Sequence, residues 1–182
     1  MKKMLVVAVA LVVILSVLPM SVSAHPPTPV EGVWEYLPYF KVKNDAGECV
    51  KPEEGDTRPQ CVKVAGGNQF LQTYEDGWWT GDFDGTSEDH GMVTIHRSGH
   101  WHFKAIVYFE GEVSGKDGTL QMSVVGARPD ASAKWEGRWV ILRGTGDLAS
   151  LRGQGTWWGP GWLGDPDVPG IIHYGGQVHF AP

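Results

Sequence analysis

The segment WHFKAIVYFEGEV, residues 101–113, decides the fold. Trp101, Phe103, Ala105, Val107 and Phe109 share one parity and make a dry face, while His102, Lys104, Ile106, Tyr108, Glu110 and Glu112 take the other. Successive side chains of a strand point to opposite faces, so this period of two reads as a β-strand with one side in a core. The same pattern returns downstream, with Trp135, Gly137, Trp139 and Ile141 on one face and Glu136, Arg138 and Val140 on the other. Working outward, comparable runs bounded by Gly cover 33–42, 68–75, 78–84, 92–97, 119–127, 133–143, 153–158 and 171–180. No long window carries an amphipathic helical stripe, and 25 Gly with 12 Pro disfavour a helix bundle.

Turn chemistry sets the connections. Asp76-Gly77, Asp84-Gly85, Ser98-Gly99 and the Gly115–Gly118 stretch each place Gly where a hairpin needs positive φ. Eight or nine strands joined this way form an antiparallel meander, and closing it removes the exposed edges. The expected fold is therefore all-β, a single small antiparallel β-barrel. Leu148 and Leu151 sit one turn apart and are expected to plug one end of it.

Residues 1–24 are set aside as an expected signal peptide. Lys2 and Lys3 precede an apolar run from Leu5 to Leu18, and Ser21 to Ala24 offer a small-x-small cleavage site. That run of about 14 residues is short of the roughly 20 a spanning helix needs, so no membrane span is expected after cleavage. Residues 25–182 then form one secreted or periplasmic domain. Loss of the two lysines makes the net charge of −6 more negative still, which repels phosphate backbones and argues against nucleic-acid partners. Cys49 and Cys61 flank a polar loop and are expected to pair as a disulfide in an oxidising compartment. A second loop, 159–170, is rich in Gly and Pro and carries Trp162, placed to cover a barrel mouth.

Several motifs fail on context. Gly144-Thr145-Gly146-Asp147-Leu148-Ala149 has the form of a dinucleotide fingerprint, but Gly153 and Gly155 leave no room for the helix that such a site needs, and no cofactor is expected. His96, His100 and His102 surround a hairpin turn and are expected to be solvated histidines, with no metal site. Asp82, Asp84, Glu88 and Asp89 begin like a calcium loop, but Gly stands at the fourth position and Val93 where a bidentate Glu belongs, so an exposed acidic hairpin is expected. No nucleophile elbow is present.

The stretch from Val140 to Thr156, with Gly144, Gly146, Leu148, Leu151, Gly153 and Gly155, and the preceding Phe109 to Leu120 with Gly111, Gly115 and Gly118, resemble the closing strands of the barrel shared by plant allene oxide cyclases and dirigent proteins. The resemblance is strongest to a bacterial family of unknown function with that barrel, and it covers roughly 68–158. It implies an eight-stranded barrel with an apolar cavity, a trimeric homo-oligomer as in plant members, and no settled activity. It also implies an enzyme alternative, a cyclase or isomerase that shapes its substrate, in which Glu35 or Tyr74 supplies the polar contact.

Nine Trp in 182 residues demand an account. Neighbours in the pairs Trp78-Trp79 and Trp157-Trp158 must face opposite ways, so one of each points outward. The favoured reading is a binding barrel that holds an apolar small molecule, with Trp101, Phe103, Trp135 and Trp139 lining the cavity and Trp162 on a lid. A surface carbohydrate-binding or purely structural module is the remaining alternative.

Overall fold

The computed structural model describes residues 26–161 and 168–182, and contains no helix among them. The expected signal segment and Trp162 lie outside the described residues. In chain order the strands are β1 (Thr28–Phe40), β2 (Val42–Lys43), β3 (Cys49–Val50), β4 (Val62–Ala65), β5 (Asn68–Gly81), β6 (Phe83–Ile95), β7 (Trp101–Val113), β8 (Lys116–Arg128), β9 (Trp135–Gly146), β10 (Leu151–Gly161) and β11 (Gly170–Phe180). From β5 to β11 every strand pairs antiparallel with the next. Strand β1 closes the ring by pairing with β11 on one side and β5 on the other. The result is a closed eight-stranded antiparallel barrel, with β4 added outside it along the start of β5.

Two expected turns are corrected. Asp76-Gly77 lies in the middle of β5, and Asp84-Gly85 lies inside β6. The chain reverses instead at Gly81 and Asp82, so the expected strands 68–75 and 78–84 merge into one and the count falls to eight in the ring. Gly77 is there for space: a Cβ on it would lie 2.1 Å from the indole nitrogen of Trp34 and 2.7 Å from the Ser87 hydroxyl. Strand β10 likewise runs through Gly159 and Pro160 to Gly161, shortening the second expected loop.

Glycine elsewhere makes slots for indoles. Gly126 and Gly137 face each other across β8 and β9, and a Cβ on either would meet the Trp157 ring at 2.2 Å. The Trp157 indole lies over that gap and its N–H is shared between the carbonyls of Val125 and Arg138, 3.2 Å from each. Gly155 and Gly176, paired across β10 and β11, make room for Trp139 in the same way. Large rings can thus pack flat against the inner wall of a narrow barrel, at the cost of backbone positions that no other residue can fill.

The two ends differ. At one end, the turn at 147–150 drops Leu148 and Leu151 fully into the interior, as expected, beside Phe83, Val113 and Leu120. Phe83 stacks on Tyr174 at 5.2 Å and meets Trp139 at 5.7 Å, so this half is solid. The other end gathers the ends of β1, β6, β8 and β10 with the starts of β5, β7, β9 and β11, and the described residues do not fill it. Cys49 and Cys61 are disulfide-bonded, with Cα atoms 5.9 Å apart, and pin the 41–61 segment against the outside of β5.

Candidate functional site

Inward parity on the open-end strands brings aromatic side chains together around a cavity of about 110 Å³. Trp34 and Tyr36 come from β1, Trp101 and Phe103 from β7, Trp135 from β9 and Trp157 from β10. Trp34 and Tyr36 stack at 4.5 Å, Phe103 stands edge-on to both Trp135 (6.2 Å) and Trp157 (6.3 Å), and Trp101 stands edge-on to Trp135 at 6.5 Å. Phe40, Pro38, Leu71, Val93, Ile95 and Ile172 complete the apolar wall.

Polar atoms are few and in the wrong company for a packed core. Thr73 and Glu75 project from β5 into this cavity, at 3% and 5% exposure. Among the described residues, Glu75 Oε2 and the Trp34 indole N–H have no hydrogen-bond partner. Opposite Glu75 on β6 stands Asp89, fully buried, with both carboxyl oxygens unpartnered. Burial pushes Glu75 up to about 8, the nearby Thr73 hydroxyl offsetting part of it. Burial raises Asp89 well above the ordinary carboxylate range, and the charge of Glu75 adds to the effect. An ionised carboxylate in so dry a place is costly, so burial favours the neutral forms of the pair, which can donate hydrogen bonds.

Arg128 closes the cavity at its rim. Its guanidinium carbon lies 4.1 Å from the centre of the Trp101 ring and 4.7 Å from that of Trp135. Such stacking fixes a cation over aromatic faces and leaves the edge of its plane for an acceptor.

Of the residues singled out from sequence, Trp101, Phe103 and Trp135 line the cavity. Trp139 does not: it sits deeper, 2% exposed, against Phe83 in the solid half. Neither polar candidate reaches the interior. Glu35 is exposed on the outer face of β1, opposite Trp78, because Trp34 and Tyr36 take the inward parity. Tyr74 is on the outer face of β5 under the disulfide loop, between Tyr39 and His90, with Lys51 4.5 Å over its ring. Burial and the neighbouring Glu88 raise its phenol well above the usual range, which suits a packing role.

Glu75, Asp89 and Arg128 are the residues that sequence reasoning missed. Reading 68–81 as one strand would have found Glu75, since it shares parity with the buried Trp79. Asp89, expected on an exposed acidic hairpin, is instead inside, because β6 continues through it in register with Glu75. Elsewhere, His96 and His102 meet at 3.2 Å on the surface while His100 turns to Ser98. No group of three potential metal ligands gathers among the described residues. The adjacent Trp pairs split as expected: Trp79 and Trp157 are buried, Trp78 and Trp158 exposed.

No curated protein matches the sequence. A crystal structure from Shewanella oneidensis MR-1, described as a protein of unknown function from the DUF3224 family, shares the fold: TM-score 0.61, 16% identity, 86% of this chain and 99% of that one covered. The family model described as "Protein of unknown function (DUF3224)" matches residues 54–158, from the disulfide loop to the aromatic pair on β10. The chain thus belongs to the DUF3224 family of proteins of unknown function.

Proposed function

We propose that this protein is a binding barrel that holds a compact, largely apolar small molecule in the aromatic cavity at its open end. The observation that carries the reading is the contrast between the ends: one is packed with Leu148, Leu151, Phe83 and Leu120, while the other leaves about 110 Å³ among seven aromatic side chains. Apolar walls with a few placed polar groups are the usual make-up of a small-molecule site, and the space suits a ligand of about one ring. The disulfide supports residence outside the reducing cytoplasm.

Toluene is the direct probe, followed by quenching of Trp fluorescence and by ligand-observed NMR. Saturable binding is expected, and it is expected to vanish in Val93→Phe, which fills the cavity. A wild-type protein that takes up no toluene overturns the reading.

A second reading, a carbohydrate platform on the outer face, is favoured by exposed Trp78 beside a groove lined by Tyr108, Glu88, Glu110 and Gln121. Aromatic faces flanked by polar groups can stack on sugar rings. Retention on polysaccharide that is lost in Trp78→Ala would support it.

A further inference from the structure

We propose that the cavity takes an amphipathic organic acid, its carboxylate held by Arg128 at the rim and its single-ring body among the aromatic side chains; this rests on the cavity being a ligand site. Among the described residues, Arg128 is the one basic side chain and Glu75 the one carboxylic acid that line it. Arg128 carries a permanent charge. Its Nε is buried and has no hydrogen-bond partner, and no carboxylate among the described residues forms an ion pair with it. The nearby acid, Asp130, is engaged elsewhere: one of its oxygens accepts from the Ser132 hydroxyl at 2.6 Å and from the backbone N–H groups of Ser132 and Ala133 at 2.8 and 3.0 Å. A guanidinium stacked on two indoles, with a dry donor that no described residue uses, suits an acceptor brought by a ligand. A carboxylate matches its planar fork with two parallel hydrogen bonds.

The opposite choice, an organic cation drawn to Glu75 and Asp89, fits less well. Both acids are deep, and burial favours their neutral forms. An ammonium reaching them would pass the Arg128 charge, shed its own hydration and displace a proton. In their neutral forms the floor groups instead offer hydrogen bonds. Glu75 Oε2 has no hydrogen-bond partner among the described residues, so a ligand oxygen at the end remote from the carboxylate would satisfy it.

The test uses three probes of one shape and different charge at pH 7: phenylacetate, phenylacetamide and phenethylamine, titrated by calorimetry. Phenylacetate is expected to bind about tenfold or more tighter than phenylacetamide, the effect of one charge-assisted hydrogen bond. Arg128→Gln is expected to weaken phenylacetate far more than the amide, so that the two bind alike, while Arg128→Lys, which keeps the charge and loses the fork, falls between. Acid and amide binding equally, or the amine binding tightest, overturns the proposal while leaving the cavity reading intact. Failure of all three probes and of toluene removes the cavity reading itself. The wild-type ranking decides the matter even if the Arg128 variants do not fold.

Discussion

Glu75 and Asp89 stand opposite each other on β5 and β6, both turned into the barrel, and neither forms an ion pair among the described residues. Directly opposed residues on paired strands have Cβ atoms about 4.5–5.5 Å apart, so two negative charges here would repel at close range in a dry environment. The arrangement is tolerable only while at least one proton is kept.

That gives a stability profile with a definite sign. Glu75 titrates near 4.5 in an unfolded chain and near 8 in the folded one. Below about 4.5 both states hold the proton and there is no penalty. Between these limits the folded state keeps a proton that the unfolded state has released, so stability falls as pH rises, by up to about 1.4 kcal/mol per pH unit for each such proton. Urea denaturation at pH 5, 7 and 9 is expected to show the least stable protein at pH 9. Glu75→Gln is expected to flatten the profile and to raise the midpoint at pH 9. A wild-type midpoint constant across that range would remove the basis for a protonated floor.

The glycine slots predict an unusual pattern of sensitivity. Gly137→Ala puts a methyl group 2.2 Å from the Trp157 ring, and the overpacking is expected to cost about 1–3 kcal/mol while displacing a wall of the cavity. At Gly175 the first atom a Cβ would meet is 3.8 Å away, so Gly175→Ala is expected to cost under about 0.5 kcal/mol. Thermal unfolding of the two variants side by side checks this, and equal losses would mean that the glycines are not ring slots.

Reduction of the Cys49–Cys61 bond, or its replacement by serines, is expected to cost about 2–3 kcal/mol through the freed loop of the unfolded chain. The bond lies outside the ring of eight strands, so the β-sheet circular dichroism should persist. Tyr74, covered by this segment through Lys51, should become more accessible to tetranitromethane. Collapse of the barrel on reduction would contradict this placement.

The parity of a strand is a local property, and it was legible. Residues 101–113 form β7 with the expected bounds and the expected dry face, and both adjacent Trp pairs divide between inside and outside. What a glycine is for is not local. Asp76-Gly77 has the composition of a turn, and only the indole of Trp34, carried on a strand remote in sequence, shows that Gly77 is a space inside β5. Placing a turn there broke the parity and left Glu75 with no face. Asp89 was lost by the same error, since its inward position follows from pairing with Glu75 across a register that the false turns at 76–77 and 84–85 disrupt. The two buried acids were therefore hidden by two glycines whose steric partners lie on neighbouring strands.

Trp135 and Trp139 share one face of β9, four residues apart, and are expected to respond differently to truncation. Trp139 is enclosed by Phe83 and by the Gly155–Gly176 gap, so Trp139→Ala leaves a void in the solid half and should cost about 3–5 kcal/mol. Trp135 forms the cavity wall and is one of the two rings that carry Arg128. Trp135→Ala should remove the preference for phenylacetate over phenylacetamide and weaken toluene binding, because it takes away both the wall and the support of the guanidinium. Glu35→Gln, on the outer face, should change neither stability nor binding. Denaturation midpoints and calorimetric titrations of the three variants separate these roles. Loss of binding in Glu35→Gln with Trp135→Ala unaffected would move the site to the outside of the barrel.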